Sequence, residues 1–340
     1  MKLPWKPGDQ TLKIGNVLID LLGDPHMGRA FRHGVPLHRL GEREAMQREL
    51  FRKRVMDTKA DLHVCMGDIF DKFVVSPTVV LFAARVYREA AEKNPDTFYV
   101  ILRGNHDGSR DASHKSSFDL LEALLVGIDN LEVVSDISYG LEIDGRYFGF
   151  IPWHPFKDAA SMVDEFISTM PIPDADVVFG HWDVEDFGGE NPNLIPVEGL
   201  SQITNLAVTG HVHKPERRDI DGLDVIVTGS MMPLAHGEDL NNETYRIVDL
   251  DTARKLVEDG EATNLCLRVI LEDKEELDFE IDCLQLQVQK KSVDIDDVKA
   301  DFGNFDMKKL FEEVFAENAV SSQVTTEIWT RLKSSNPDIV

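Results

Sequence analysis

The sequence contains little cysteine: Cys65, Cys266 and Cys283 are three residues in 340, an odd number without paired spacing. This argues against a disulfide framework and is typical of a reducing compartment. There is also no run of about 18 apolar residues, the length that a membrane helix requires. The first ten residues, MKLPWKPGDQ, have no apolar stretch like that of a secretory signal. We therefore expect a cytoplasmic protein that does not enter a membrane.

Positive charge is also scarce, since 36 lysines and arginines stand against 61 aspartates and glutamates, for a net charge of −25. Nonspecific binding to nucleic acid depends on phosphate contacts, which lysine and arginine make. The composition therefore argues against a protein that coats nucleic acid nonspecifically. One local exception is the stretch 29–54, which holds eight basic side chains and three glutamates.

Short apolar segments bounded by turn residues recur along the chain, and most are too apolar to be half-exposed. We predict strands at 17–22, 62–66, 98–102, 177–179, 206–209 and 225–228. The dipeptide Asp144-Gly145 within 139–151 predicts a β-hairpin.

Helical patterns separate these segments. Ser76-Pro77 has the residue types of a helix N-terminus, and apolar residues at helical spacing follow it. A second helix is predicted over 42–55, with Met46, Leu50 and Val55 on its apolar side. Strands that alternate with helices favour an α/β layered fold.

The character of the sequence changes near residue 255. A chain of 340 residues is long for one core, since single cores rarely grow beyond about 250–300 residues. We therefore predict a main domain over 1–255 and a second region over 256–302. Strands are predicted within 265–289, where Leu265, Leu267, Val269 and Leu271 alternate, as do Phe279 and Ile281. Apolar residues at helical spacing over 307–315 predict an amphipathic helix within a third segment, 303–340.

Five of the predicted strands end in a glycine followed by residues that commonly bind metals. The five endings are Gly23-Asp24-Pro25-His26, Gly67-Asp68-Ile69-Phe70-Asp71, Gly104-Asn105-His106-Asp107, Gly180-His181 and Gly210-His211-Val212-His213. In α/β sheets, ligands bind at the carboxyl ends of the strands. Each motif alone is a weak signal, but five in order after five strands predict a single metal site.

The residue types suit a centre of two divalent cations, which needs a bridging carboxylate and further nitrogen and oxygen ligands. We predict that Asp68 bridges the ions. The ligands of one ion would be completed by Asp24, His26 and His213. The ligands of the other would be completed by Asn105, His181 and His211. Two such ions polarise a phosphoryl group and lower the pKa of a bridging water, which supplies a hydroxide for in-line attack.

His106 is adjacent to Asn105 and should point the opposite way along the chain. We assign it to catalysis, as the group that stabilises the pentavalent phosphorus or protonates the leaving oxygen. Asp71 and Asp107 are candidates to orient imidazole rings. His154, within Pro152-Trp153-His154-Pro155, is a further candidate that could reach the rim of the site.

The order of these motifs resembles the calcineurin-like metallophosphoesterase superfamily over about residues 20–215. Within that superfamily the chain is similar to the SbcD-type recombination and repair nucleases, especially the nuclease subunits of large bacteriophages. The similarity rests on Asp24-Pro25-His26-Met27-Gly28, Gly67-Asp68-Ile69-Phe70-Asp71, Ile151-Pro152-Trp153, Gly180-His181-Trp182, Gly229-Ser230 and Tyr245-Arg246-Ile247-Val248-Asp249.

The resemblance implies a β-sandwich flanked by helices, a capping region over 256–302 and a helical segment over 303–340. That segment would dock on the coiled coil of an SMC-like ATPase; the alternative is that its helix packs on its own domain. Manganese is the implied ion, with Mg²⁺, Fe and Zn²⁺ as alternatives. The implied activity is exonuclease and endonuclease on DNA, in the cytoplasm of a bacterium or a phage-infected host. A homodimer is left open.

Two features depart from the family. About fifteen residues precede the first predicted strand, and the chain is acidic for an enzyme of DNA. The basic stretch 29–54, with Arg103, Lys214, Arg217 and Arg218 beside other motifs, could line a path for DNA. The alternative is a set of solvated helix charges paired with the three glutamates.

Two other functions are weighed against a DNA nuclease. One is a stand-alone phosphatase or phosphodiesterase acting on nucleotides or phosphoproteins. Protein phosphatases of the superfamily carry Asp-Arg-Gly where this chain has Asp71-Lys72-Phe73, which disfavours the phosphoprotein version. The other is a non-enzymatic scaffold, which the complete ligand set argues against.

Overall fold

The computed structural model describes residues 4–109, 111, 114–169, 174–185 and 191–291. Within these residues the strands are β1 Thr11–Ile14, β2 Val17–Leu22, β3 Leu62–Cys65, β4 Phe98–Leu102, β5 Leu131–Val134, β6 Tyr139–Ile143, β7 Arg146–Phe150, β8 Val177–Gly180, β9 Leu206–Thr209, β10 Glu216–Ile220, β11 Leu223–Val227, β12 Tyr245–Asp249, β13 Cys266–Leu271 and β14 Gln285–Lys290. The helices are α1 Glu42–Met56, α2 Pro77–Lys93, α3 Ser117–Leu125, α4 Ala159–Thr169, α5 Val197–Leu200 and α6 Leu250–Glu258.

Two sheets pack face to face and form the centre of the fold. The first has the order β1-β2-β3-β4-β5, and the second has the order β10-β11-β9-β8-β7-β6. Side chains alternate along each strand, so that Val64 of β3 lies in the core between the sheets while Cys65 faces the helices. From the second sheet, Phe148 and Phe179 enter the same central core.

Helices cover the outer face of each sheet. Phe51 of α1, Tyr87 of α2 and Phe118 of α3 pack in the core on the first sheet. Met162 of α4 and Leu200 of α5 pack in the core on the second. The central strands are therefore buried on both faces, which explains their almost continuous apolar sequences. The predicted mixed α/β fold, a β-sandwich flanked by helices, is confirmed.

The six strands predicted before residue 255 lie within two residues of the observed ones, and the hairpin forms between β6 and β7. Asp144 and Gly145 at its tip have φ of 51° and 69°, the signs that a type I′ turn requires. The first strand was missed. β1 pairs antiparallel with β2 and lies within the segment that precedes the strand predicted first.

The prediction for the buried face of α1 was partly wrong. Met46 is 44% exposed, whereas Arg43, Gln47 and Phe51 are buried beside Val55. The periodicity of apolar residues could not indicate this face, because two of its members are polar and are buried by bonds to distant segments.

A third sheet of three parallel strands, β12-β13-β14, carries α6 on one face. Within the range 265–289 predicted for strands, β13 and most of β14 form. Phe279 and Ile281, which indicated the second strand, are not part of it and pack beside α6 within the connection to β14. The third sheet contacts the main fold, since the Leu286 N–H donates to the Gly34 carbonyl at 2.7 Å.

The described elements all belong to one compact unit, Met1–Lys290. The predicted boundary near 255 stays a prediction. The helical segment predicted at 303–340, with its stripe over 307–315, lies outside the described residues. Among the residues that are described, no helix is both long enough and apolar enough to cross a membrane.

Candidate metal centre

The five motifs follow the carboxyl ends of β2, β3, β4, β8 and β9. β2, β3 and β4 are parallel neighbours in the first sheet, and β8 and β9 are parallel neighbours in the second. The loops after these strands therefore meet at one edge of the sandwich. The Asp24 carboxylate from the first sheet accepts a hydrogen bond from the His211 N–H of the second, at 2.9 Å.

Asp24, His26 and His213 form one cluster, in which one ligand atom of each lies within 4.8 Å of the others. The Nε2 atoms of His26 and His213 are 2.9 Å apart. Asp24 and His26 are buried, and His213 is partly exposed. The structure thus brings together the three residues that the sequence assigned to one ion.

Asp68, His181 and His211 form a second cluster with the same spacing. Asn105 lies against it, with Oδ1 3.0 Å from Nε2 of His181 and 2.8 Å from Nδ1 of His211. Asp68 stands between the clusters, because Oδ2 lies 3.4 Å from Nε2 of His181 and 3.8 Å from Nε2 of His26. This position suits the predicted bridging role.

The arrangement of protons around the second cluster fits a cation. Nδ1 of His181 donates to the Met66 carbonyl at 2.9 Å, which leaves Nε2 as a lone-pair donor. Nε2 of His211 lies 2.7 Å from Asp183 Oδ1, which leaves Nδ1 in the same role. Both lone pairs converge on the Asn105 oxygen and the Asp68 carboxylate. Converging lone pairs repel one another unless a cation lies among them.

The first cluster fits a cation for a similar reason. Nδ1 of His213 is 3.2 Å from Glu238 Oε1, so Nε2 faces His26 without its proton. Asp24 Oδ1 is buried and has no hydrogen-bond partner within the described part of the chain. Burial also raises the pKa of the Asp24 carboxyl to about 7, and it lowers the pKa of the His26 imidazole to about 3. A divalent ion would supply the missing partner for both groups.

His106 lies at the open side of the clusters. Its ring is 4.9 Å from the ring of His26, and the side chain is exposed. Nδ1 donates to the carbonyl of Asp71 at 2.7 Å, so Nε2 is the nitrogen left for a substrate. The His106 backbone N–H donates to Asp68 at 2.8 Å, which ties the catalytic candidate to the bridging one. The assignment of His106 to catalysis stays a prediction.

Asp107 and Asp71 were both predicted to orient imidazole rings, and the structure gives them different contacts. The buried Asp107 carboxylate accepts from the backbone N–H groups of Ile69, Phe70 and Gly104 at 2.9–3.2 Å. It therefore joins the loops that follow β3 and β4. Asp71 Oδ1 lies 3.6 Å from Nδ1 of His26, beside the first cluster.

Three residues that support the clusters were missed. Asp183 contacts His211, and Glu238 contacts His213. Gln47 of α1 is buried and donates to the carbonyls of Pro25 and His26 at 2.9 and 3.0 Å. Asp183 follows the Gly180-His181 motif closely and could have been suspected, whereas Glu238 and Gln47 carry no signal in the sequence.

The backbone of the site is unusual at three candidate ligands. His26, Asp68 and His211 have φ of 46°, 48° and 73°, a region that costs about 1–3 kcal/mol at residues other than glycine. Gly104 permits the close approach of the loops, because a Cβ there would lie 2.2 Å from Asp68 Oδ1. The loops are thus held in a conformation that the surrounding fold has to impose.

Most of the basic side chains that the sequence offered for DNA are bonded within the protein. Five of the eight in 29–54 have such partners: Arg29 with Asp71, Arg39 with Glu42, Arg43 with Gln285, Arg52 with Glu49 and Arg54 with Asp20. Arg103, Arg217 and Arg218 also pair with carboxylates. Arg32, Arg48, Lys53 and Lys214 are exposed.

The sequence profile described as calcineurin-like phosphoesterase matches residues 17–215, which span every motif of the centre. The chain belongs to this family. It is therefore a metal-dependent phosphoesterase, and its clusters of histidine and aspartate fit divalent metal ions. No curated protein sequence matches the chain.

Several solved structures are similar to this phosphoesterase at low identity. A novel archaeal phosphodiesterase is 16% identical, with a TM-score of 0.30 over 62% of this chain and 83% of its own. The phosphopantetheinyl hydrolase of Mycobacterium tuberculosis is 12% identical, with a TM-score of 0.39 over 63% of this chain and 89% of its own. GAP50 of Plasmodium is 13% identical, with a TM-score of 0.37 over 65% of this chain and 76% of its own. At such values the likeness carries no argument about substrate.

Proposed function

We propose that this phosphoesterase is a manganese-dependent DNA nuclease that hydrolyses phosphodiester bonds, as an exonuclease on duplex ends and an endonuclease on single strands. The observation that carries the proposal is the convergence of seven predicted ligands beside the exposed His106. The choice of DNA rests on the resemblance of the motifs to SbcD-type nucleases.

The protein's own groups have separate tasks in this reaction. One cation would be held by Asp24, His26 and His213, and the other by Asn105, His181 and His211. Asp68 would contribute to both. When bound, the ions polarise the phosphoryl oxygens and activate water. His106 presents Nε2 to the substrate, where its protonated form can donate to the leaving oxygen.

Manganese is proposed because the resemblance to SbcD-type nucleases implies it; the carboxylate and amide oxygens of the donor set suit Mn²⁺, and the imidazole nitrogens also suit Zn²⁺ and Fe. Mg²⁺, Fe and Zn²⁺ compete for the same set. The protein is stripped with a chelator and reloaded with each ion separately. Mn²⁺ is expected to restore the highest rate of phosphodiester hydrolysis, and a higher rate with another ion would replace it in the proposal.

A second candidate is a stand-alone phosphatase or phosphodiesterase acting on nucleotides or phosphoproteins. Internal pairing of most arginines near the motifs favours it, because few cations are left to follow a long phosphate backbone. The two candidates differ in one measurement. A nuclease degrades linear duplex or single-stranded DNA with Mn²⁺, whereas the other enzyme leaves DNA intact and hydrolyses the smaller substrate.

The catalytic assignment is tested with Asp68→Ala and His106→Ala. Hydrolysis of bis-p-nitrophenyl phosphate with Mn²⁺ should fall by about 100-fold or more in both variants, because Asp68 would hold both ions and His106 acts on the reacting phosphate. Leu81→Ala, a change at a residue 51% exposed on α2, serves as the control. Unchanged activity in His106→Ala would reject its catalytic role.

The proposed partner is an SMC-like coiled-coil ATPase that binds the segment 303–340. This part of the proposal rests on the resemblance and on the amphipathic stripe at 307–315. A chain that ends at 302 should no longer co-purify with the ATPase, while its hydrolysis of small phosphodiesters persists. Retained binding would reject the docking segment. The mass of the unpartnered protein in solution decides between a monomer and a homodimer.

A further inference from the structure

The segment 152–156 has the sequence Pro-Trp-His-Pro-Phe. The reaction proposed above uses none of its aromatic or imidazole side chains. The backbone N–H of Trp153 donates to the backbone carbonyl of Arg103 at 3.0 Å. The Trp153 ring lies on Gly108, where a Cβ would be 2.6 Å from Cζ3. Gly108 is two residues beyond His106, so their Cα atoms are at most about 7.6 Å apart. The segment therefore borders the candidate metal centre.

Phe156 projects from this segment and is 59% exposed. A single exposed apolar side chain is ordinary on a protein surface. This one contacts a neighbouring ring, since its ring meets the His154 ring edge-on at 6.0 Å. The phenyl ring thus has one aromatic neighbour and remains largely open to solvent beside the site.

A cleft of about 320 Å³ lies along the segment, lined by Trp153, His154, Phe156 and Asn193 among others. It contains two unused hydrogen-bond donors. The Phe156 N–H donates to Nδ1 of His154 at 3.1 Å, so the imidazole proton is on Nε2. Burial lowers the pKa of His154, which keeps the ring neutral. Asn193 Nδ2 is buried without a hydrogen-bond partner among the described residues.

We propose that this cleft binds the nucleobase of the nucleotide next to the scissile phosphate, with the base stacked on Phe156. The donors of His154 and Asn193 are suited to the carbonyl and ring-nitrogen acceptors on the edges of the bases. Aromatic rings bind bases of any sequence in this way, because every base offers a π face. The proposal rests on the proposed function only in requiring a substrate that contains nucleotides.

The test compares two phosphodiesters with the same leaving group, the p-nitrophenyl ester of thymidine 5′-monophosphate and methyl p-nitrophenyl phosphate. The wild-type enzyme with Mn²⁺ should prefer the thymidine ester. Phe156→Ala should lower kcat/KM for that ester about 5-fold or more, through KM, and leave the methyl ester unchanged. Phe156→Tyr, which keeps the ring, should retain the preference, as should the control Leu81→Ala.

A binding measurement gives a readout without hydrolysis. In the presence of a chelator, a fluorescent oligothymidylate should bind the wild-type protein more tightly than an abasic oligomer of equal length, and Phe156→Ala should abolish the difference. Equal losses for both esters, or equal binding of both oligomers by the wild-type protein, would overturn the subsite.

The failure of the nuclease proposal has a different signature. Intact DNA together with a thymidine preference that depends on Phe156 would reject the nuclease and keep the subsite. Cleavage of DNA with equal kcat/KM for the two esters would keep the nuclease and reject the subsite.

Discussion

The Asp183 carboxylate lies 2.7 Å from Nε2 of His211, and Nδ1 on the other side of that ring faces Asn105 at 2.8 Å. The carboxylate therefore fixes which nitrogen carries the proton. Carboxylates that hold metal-binding histidines in this way affect metal affinity by about 10–100-fold.

We expect Asp183→Ala to weaken the binding of one of two Mn²⁺ ions by about 10–100-fold, because His211 loses its orientation. Isothermal titration and metal analysis after dialysis would show one tight ion in place of two. Asp183→Asn keeps an oxygen that can accept a hydrogen bond from Nε2 of His211, and it should recover part of the affinity for Mn²⁺. Glu185→Ala, at an exposed residue two positions along, is the matched control. Two tight ions in Asp183→Ala would contradict the assigned role.

Glu238→Ala should affect the other ion, because Glu238 contacts Nδ1 of His213 at 3.2 Å. The variant is expected to lose tight binding at the cluster of Asp24, His26 and His213 and to retain the ion at the second cluster. Combined with Asp183→Ala it should leave no tight site, as measured by metal content after dialysis. Glu243→Ala, at an exposed residue, is the control and should keep the metal content of the wild type. If both single variants lost the same ion, the division into two clusters would be wrong.

Gln47→Glu should destabilise the protein, because an ionised carboxylate would replace the amide that donates to the carbonyls of Pro25 and His26. Unsatisfied buried groups cost about 1–3 kcal/mol, which predicts a clear fall in Tm. Arg48→Gln changes the net charge by the same amount on the exposed face of α1 and should have little effect. Equal Tm values for the two variants would show that Gln47 does not support the loop.

The buried Asp20 carboxylate should make stability depend on pH. Burial opposes ionisation, but hydrogen bonds from His63 and Arg54 outweigh it and lower the pKa of Asp20 from 3.8 to about 2. A lowered pKa in the folded state adds stability above pH 3.8, and this stability is lost as the pH falls through 2.

For metal-free protein we expect Asp20→Asn to reduce the free energy of unfolding by about 2 kcal/mol at pH 7, since one pKa unit corresponds to about 1.4 kcal/mol. The difference from the wild type should shrink toward pH 2. Urea denaturation at several pH values measures it. A difference that stays constant over this range would mean that the ion pair is not its source.

The strands, the hairpin and the candidate ligands could be predicted because their signals are local. β2, β4 and β9 are largely apolar segments, and a glycine and then a ligand type follow each of them within a few residues. The order of the five motifs indicates the family, and the parallel strands place the motifs at one edge of the sandwich. The buried face of α1 could not be predicted, because it includes Arg43 and Gln47. A pattern of apolar residues does not indicate polar side chains that are buried by bonds to distant segments.

The sequence by itself determined the fold class, the family and the residues available to hold two metal ions, because each depends on residue types at short spacing. The tertiary structure decided how those residues are held. Asp183 reaches His211, Glu238 reaches His213 and Gln47 reaches the His26 carbonyl only after the sheets and α1 have packed. It also decided that Arg29, Arg54 and Arg103 pair with carboxylates distant in sequence, since the interaction of two charges depends on their distance in space and not along the chain.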